Sequence, residues 1–162
     1  MSNKRPNYIT WQEYFLGVSY LAAERSKDPN TQVGACIVKN NKIISTGYNG
    51  FPNGCSDDAY PWNREGKDEY ETKYPYVVHA ELNAILNARG EDLTNSEIYV
   101  SLFPCHECAK AIIQSGIKKV IFASDKYNNT PDNVASKRML KDAGVECIRI
   151  PIRVKFEIEK ID

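Results

Sequence analysis

The chain predicts an α/β domain of three layers, with helices on both sides of a mixed sheet of about five strands. Three observations carry this. A helical pattern opens the chain, a hairpin pattern follows it, and from residue 80 onward helix and strand patterns alternate. Such alternation builds parallel strands joined by crossover helices, so the sheet should be antiparallel at the hairpin and parallel in its second half. The length of 162 residues suits a single domain spanning residues 1–162.

The first helix begins after Thr10, a residue suited to N-capping. It places Tyr14, Phe15, Val18, Leu21 and Ala22 at helical spacing and should end near Ser26, where "SKDPN" breaks it. "VGACIVKN" and "KIISTGYN" are short apolar runs joined around Asn40 and Asn41, which predicts a hairpin whose buried strands sit mid-sheet and whose second strand ends at Gly47 and Gly50. Residues 51–76 carry prolines, glycines and charges over a length that ordinary connections in compact domains do not reach; such segments tend to be functional or disordered. Then "AELNAILNA" is a helix, "EIYVSLF" a strand, "CAKAIIQSG" a helix closed by Gly116, and "KKVIFAS" a strand. "DNVASKRMLKDAG" and "VECIRIP" repeat the helix-then-strand order. The tail "IRVKFEIEKID" alternates apolar and charged residues and is expected as an edge strand or a partner-contacting arm.

Composition excludes several classes of function. No apolar run approaches the roughly 18 residues of a membrane span, so no membrane is expected as a partner. The N-terminal "MSNKRPNYIT" has basic residues with no apolar stretch after them, which argues against a secretory signal and for a cytoplasmic home. Five cysteines, at 36, 55, 105, 108 and 147, are an odd number and fit reduced thiols better than a disulfide framework. The 21 basic and 21 acidic residues cancel, so long nucleic acid is a poor partner and a small metabolite a better one.

Chemistry concentrates in "HAELNA" at 79–84 and "FPCHECAK" at 103–110. Cys105 and Cys108, three apart at a helix start, can face one point, and the helix N-terminus favours their thiolates. A C-x-x-C alone is compatible with a redox pair or half of a structural zinc site. His79 also precedes a helix, and the strand between the two helices brings both N-termini to one end of the sheet. Three protein ligands would leave a position open for water, whereas a structural zinc wants four. Cys55 is the rival for a fourth place; Cys36 and Cys147 sit in apolar strands as small core residues, and His106 should point off the other side of its turn. Glu81 is either a solvated helix glutamate or a proton carrier, and it shares a site with His79 only if both lie in the irregular first turn.

His79-Ala80-Glu81 with Pro104-Cys105-His106-Glu107-Cys108 resembles the H-x-E and P-C-x-x-C signature of zinc-dependent nucleobase deaminases. The element order over residues 8–151 resembles the cytidine deaminase fold. Within the zinc-dependent cytidine/deoxycytidylate deaminase family, "RSKDPNTQVGACIV", "GYNGFPNGCSDD", "TKYPYVVHAELNAI" and "LFPCHECAKAIIQSGIKKVIFASDKY" are most similar to its deoxycytidylate members. The resemblance implies Zn²⁺ held by His79, Cys105 and Cys108, with Glu81 carrying protons from activated water to the pyrimidine ring nitrogen and then to the leaving ammonia. dCMP and water would become dUMP and ammonia. It implies substrate contacts from Asn49, Ala80 and Tyr127, although an asparagine in a glycine turn and a loop tyrosine read as plainly structural. A phosphate needs a cation: Arg25 is the first candidate, Lys27 the second, with Arg64 and Lys73 behind them. The resemblance further implies activation by dCTP and inhibition by dTTP through the long segment, Mg²⁺ accompanying the triphosphate, and a homohexamer. The rivals are a deaminase of free cytidine or deoxycytidine, one of tRNA adenosine, and a structural zinc module.

Overall fold

The structure is a computed structural model and describes residues 1–162. Thr10 caps α1 (Trp11–Ala23) through a capping box: its hydroxyl accepts from the Glu13 N–H, and the Glu13 carboxylate accepts from the Thr10 N–H. The helix proper stops short of Ser26, but Arg25 and Ser26 extend it as tighter turns onto the Ala22 and Ala23 carbonyls. β1 (Gly34–Lys39) and β2 (Lys42–Tyr48) form the hairpin, with Asn40 and Asn41 at φ 52° and 58°, the left-handed pair that a two-residue type I′ turn requires. There follow α2 (Ala80–Asn87), β3 (Glu97–Leu102), α3 (His106–Gln114), β4 (Lys119–Ser124), α4 (Pro131–Asp142) and β5 (Glu146–Arg149). The five strands lie in the order β2-β1-β3-β4-β5, antiparallel from β2 to β3 and parallel from β3 to β5.

The layers follow from strand alternation, which sends neighbouring side chains to opposite faces. On one face Phe15 and Leu16 of α1 pack with Cys36, Val38, Tyr99 and Ile121. On the other, Ala84 of α2, Ile112 of α3 and Leu140 of α4 pack with Ile37, Ile98, Val100 and Val120. Burying a Phe or Leu side chain stabilises by about 1.5–3 kcal/mol, against about 1 kcal/mol for an N-cap. Packing therefore holds α1 in place, and the cap fixes where it starts.

The buried stripe of α1 is Phe15, Leu16, Ser19 and Ala23, rotated from the expected one, while Tyr14 and Leu21 are exposed. Gly34 explains the rotation. A Cβ there would lie 1.7 Å from the Ser19 carbonyl oxygen, so helix and strand backbones approach too closely for a large residue at the contact. Gly47 works alike on the opposite face. It lies inside β2, not at its end, and a Cβ would sit 2.3 Å from the Ala80 carbonyl oxygen at the start of α2.

Three further expectations are corrected. β2 is the sheet edge, with Lys42 and Ile43 exposed, and only β1 of the hairpin lies mid-sheet. Cys147 is exposed because β5 is the other edge. The tail after Arg149 is not a strand; it runs beside α1, where the Tyr20 hydroxyl donates to the Ile152 carbonyl at 3.1 Å.

The long segment is an ordered excursion, closed at its base by paired hydrogen bonds between Gly50 and Val78. Phe51 packs on Trp62 with ring centroids 4.1 Å apart, and Tyr60 meets Tyr76 edge-on. Two ion pairs fasten it to the α1–β1 connection. Lys27 with Asp57 is largely exposed and contributes about 0–1 kcal/mol. Lys73 with Asp28 is buried, and removing one partner would cost about 3–5 kcal/mol by leaving the other charge uncompensated. The buried pair is the fastening that matters.

Candidate metal centre

Every piece of the site lies at one end of the sheet. Parallel β3 and β4 point their C-terminal ends there, where open α/β sheets leave their ligand crevice. The antiparallel hairpin brings the start of β1 and the end of β2 to the same place, since Gly34 pairs with Tyr48 and Ala35 with Val100.

α2 is seated on β2 by the close approach at Gly47 and by Asn83 Nδ2, which donates to the Tyr48 carbonyl at 2.7 Å. That seating fixes His79 at the N-cap of α2 and Glu81 one residue into its first turn. α3 is seated by Phe103, whose N–H donates to the Ser124 carbonyl at 2.8 Å, and by the Ser136 hydroxyl on the Pro104 carbonyl. Cys105 is then the N-cap of α3. Neither cap residue uses its side chain to cap, and each is turned toward the other. The i, i+2 relation of His79 and Glu81 is resolved without a frayed turn: His79 is outside the helix with an extended backbone at the N-cap, and Glu81 lies in regular helix from Ala80 onward.

His79 Nδ1 lies 3.4 Å from Cys105 Sγ and 3.5 Å from Cys108 Sγ, and the three donor atoms all fall within 4.8 Å of one another. Zn–S bonds of about 2.3 Å and Zn–N bonds of about 2.0–2.1 Å at tetrahedral angles put sulfur and nitrogen about 3.6 Å apart. The donor set and its spacing therefore fit Zn²⁺. By themselves the three groups distribute their protons in a pattern that a divalent cation would replace. The hydrogen bond from Cys108, joined by His79, holds the Cys105 thiol down to about 3. Cys105 in turn pushes the Cys108 thiol up, and its hydrogen bond raises His79 to about 9. Ligands must be thiolate and neutral imidazole, so binding would release those protons.

No fourth donor joins the cluster. Cys55 lies in the long segment beside the Tyr60 hydroxyl, and Cys36 is in the core. His106 points away as expected, its Nε2 3.1 Å from Glu107 Oε1 and its Nδ1 3.3 Å from Asp132. Glu81 is 4% exposed, and burial pushes its carboxyl above the usual range while the His79 charge opposes that.

A cavity of about 430 Å³ opens over the cluster, within the range of small-molecule pockets. Of the residues expected at the site, His79, Ala80, Glu81, Cys105, Asn49 and Tyr127 line it. Cys108 lies beneath, buried. Arg25 is not in the wall; it is exposed at the end of α1, its guanidinium 6.0 Å from the centre of the Tyr48 ring. Asn49 is 6% exposed and its amide is engaged on both sides, Oδ1 accepting from the Val33 N–H and Nδ2 donating to the Thr31 carbonyl, each at 2.9 Å. Tyr127 has its hydroxyl lowered from the usual value: burial raises it, but the hydrogen bond with Thr31 and the Lys126 charge prevail. Sequence reasoning missed Asp28, Thr31 and Asp132 as wall residues. "SKDPN" offered a signal for the first, since a buried aspartate bonding the Asn30 and Thr31 N–H groups is a turn device as well as a helix breaker.

Three metal-type donors on two helix N-termini, with a buried carboxylate beside them and a cavity above, define a metal-dependent hydrolase centre of the deaminase type. Comparison with known proteins agrees. The family described as "Cytidine and deoxycytidylate deaminase zinc-binding region" matches residues 9–124. The human deoxycytidylate deaminase is 57% identical over 143 residues, which are 88% of this chain and 80% of the human one. A probable deoxycytidylate deaminase of Drosophila melanogaster is 55% identical over 98% of this chain and 81% of its own. The crystal structure of a cyanophage S-TIM5 dCMP deaminase in complex with dCMP and dUMP superposes with a TM-score of 0.69 at 27% identity, over 91% of this chain and all of that one. The chain belongs to the cytidine and deoxycytidylate deaminase family.

Proposed function

We propose that the chain hydrolytically deaminates dCMP, giving dUMP and ammonia. The convergence of His79, Cys105, Cys108 and Glu81 in one cavity carries the reaction class. The identity with deoxycytidylate deaminases supports the substrate.

His79 through Nδ1 and the two cysteines through sulfur would hold the zinc. Bound there, zinc supplies the Lewis acidity that makes water a nucleophile near neutral pH. Glu81 takes one proton of the attacking water at its carboxyl and delivers it to the pyrimidine ring nitrogen; it then takes the remaining proton of the added hydroxyl and passes it to the amino group, which leaves as ammonia while the ring carbonyl forms. Its burial keeps bulk water from exchanging that proton away. Ala80, in the first turn of α2, offers a backbone N–H with no intrahelical acceptor to the base edge. Asn49 and Tyr127 border the base and sugar from the wall.

The same reading includes activation by dCTP, inhibition by dTTP, Mg²⁺ with the triphosphate, and assembly as a homohexamer. Its support is the family resemblance together with the placement of the long segment, whose Arg64, Lys73 and Tyr74 line the cavity. An effector on that segment can therefore reach the substrate. No helix is long and apolar enough to cross a membrane, and a cytoplasmic location is part of the proposal.

Zinc-loaded protein mixed in parallel with dCMP, deoxycytidine and dCTP, followed by the ultraviolet change from cytosine to uracil, tests the substrate. Turnover confined to dCMP is expected, rising with added dCTP and falling with dTTP. Turnover of deoxycytidine at least as fast would replace dCMP by the nucleoside, and indifference to both triphosphates would remove the regulation.

A further inference from the structure

The cavity wall carries four charged side chains that the chemistry at its floor leaves unused: Asp28, Arg64, Lys73 and Asp132. Two of them are matched. Lys73 and Asp28, with side chains 9% and 1% exposed, pair with each other. Asp132 lies 3.3 Å from a nitrogen of His106. Arg64 pairs with no carboxylate, and its one side-chain partner is neutral: Nη2 donates to Thr31 Oγ1 at 3.0 Å.

That partner is itself held firmly. The Thr31 N–H donates to Asp28 Oδ1 at 3.1 Å, and its carbonyl accepts from Asn49 Nδ2. Asp28 in turn is locked by the buried ammonium of Lys73. One donor of the guanidinium is engaged and the remaining ones form a fork, which is the geometry that meets a phosphate with two parallel hydrogen bonds. A phosphate monoester brings nearly two negative charges at neutral pH. Arg64 is the uncompensated cation of the wall.

We propose that Arg64 binds the 5′-phosphate of the substrate and so makes the enzyme prefer a nucleotide to a nucleoside; this rests on the dCMP reading given above. Thr31 positions the guanidinium, and the Asp28–Lys73 pair positions Thr31. Arg25, which sequence position favours for this role, lies outside the wall.

The test compares zinc-loaded wild type, Arg64→Ala, Arg64→Lys and Arg25→Ala by dCMP kinetics and by calorimetric binding of dUMP. Arg64→Ala should raise both the KM for dCMP and the Kd for dUMP about ten- to a hundredfold, the range for losing a hydrogen-bonded charge. Arg64→Lys should recover only part, since it keeps the charge and loses the fork. Arg64→Ala binding dUMP as tightly as wild type would overturn the proposal, as would the same rise in Arg25→Ala in its place. Wild-type protein that does not turn over dCMP would remove the underlying reading and this proposal with it.

Discussion

Glu81→Ala will keep its zinc and its fold and lose about 10²- to 10⁴-fold in kcat, the range for a positioned proton carrier. Glu81 sits in the first turn of a helix whose seating depends on Gly47 and Asn83, so its loss leaves the scaffold intact. Removing a carboxylate that burial disfavours should leave the melting temperature unchanged or slightly raised. Because the group acts after substrate has bound, the KM for dCMP should change much less than kcat. Metal analysis, thermal unfolding and steady-state kinetics on one preparation check all three. Near-normal turnover would remove Glu81 from the mechanism, and loss of zinc would make it a ligand.

Cys105→Ser will lose the metal and, with it, essentially all turnover. The substitution keeps the size of a half-buried side chain but offers a hydroxyl in place of a thiolate, and zinc selects the thiolate. Changes to outer-shell partners alone lower metal affinity about 10- to 100-fold, so loss of a direct ligand should exceed that. A second signature separates this from general damage. A metal that binds only the folded chain stabilises it by about 4 kcal/mol at a thousandfold excess over Kd. The wild-type melting temperature should therefore climb with free zinc, and that of Cys105→Ser should not. A variant that retains one zinc per chain would place the metal elsewhere.

The centre was legible in sequence because its geometry is local. Two helices each begin at a metal-type residue, a strand lies between them, and β-α succession brings both beginnings to one end of the sheet. The hairpin was legible for a similar reason, since Asn40-Asn41 declares its own turn. What escaped depends on partners far along the chain. β2 reads as apolar yet lies at the edge, because β3 pairs with the free side of β1 and nothing pairs beyond β2. Ser19 and Ala23 are buried in preference to Tyr14 and Leu21 because Gly34, on another element, admits only small residues. Arg25 and Arg64 cannot be ranked by spacing. Arg64 enters the cavity wall through a segment pinned by Lys73 to an aspartate 45 positions away, and no periodicity announces that pairing.

The measurement that bears most directly on the whole account is dCMP turnover as a function of zinc content. Wild-type protein stripped by a chelator and titrated back with Zn²⁺ should recover dUMP and ammonia formation in proportion to bound zinc, saturating at one zinc per chain. Full turnover by the stripped protein, or none at one zinc per chain with dCTP present, would contradict a catalytic zinc centre built on His79, Cys105 and Cys108.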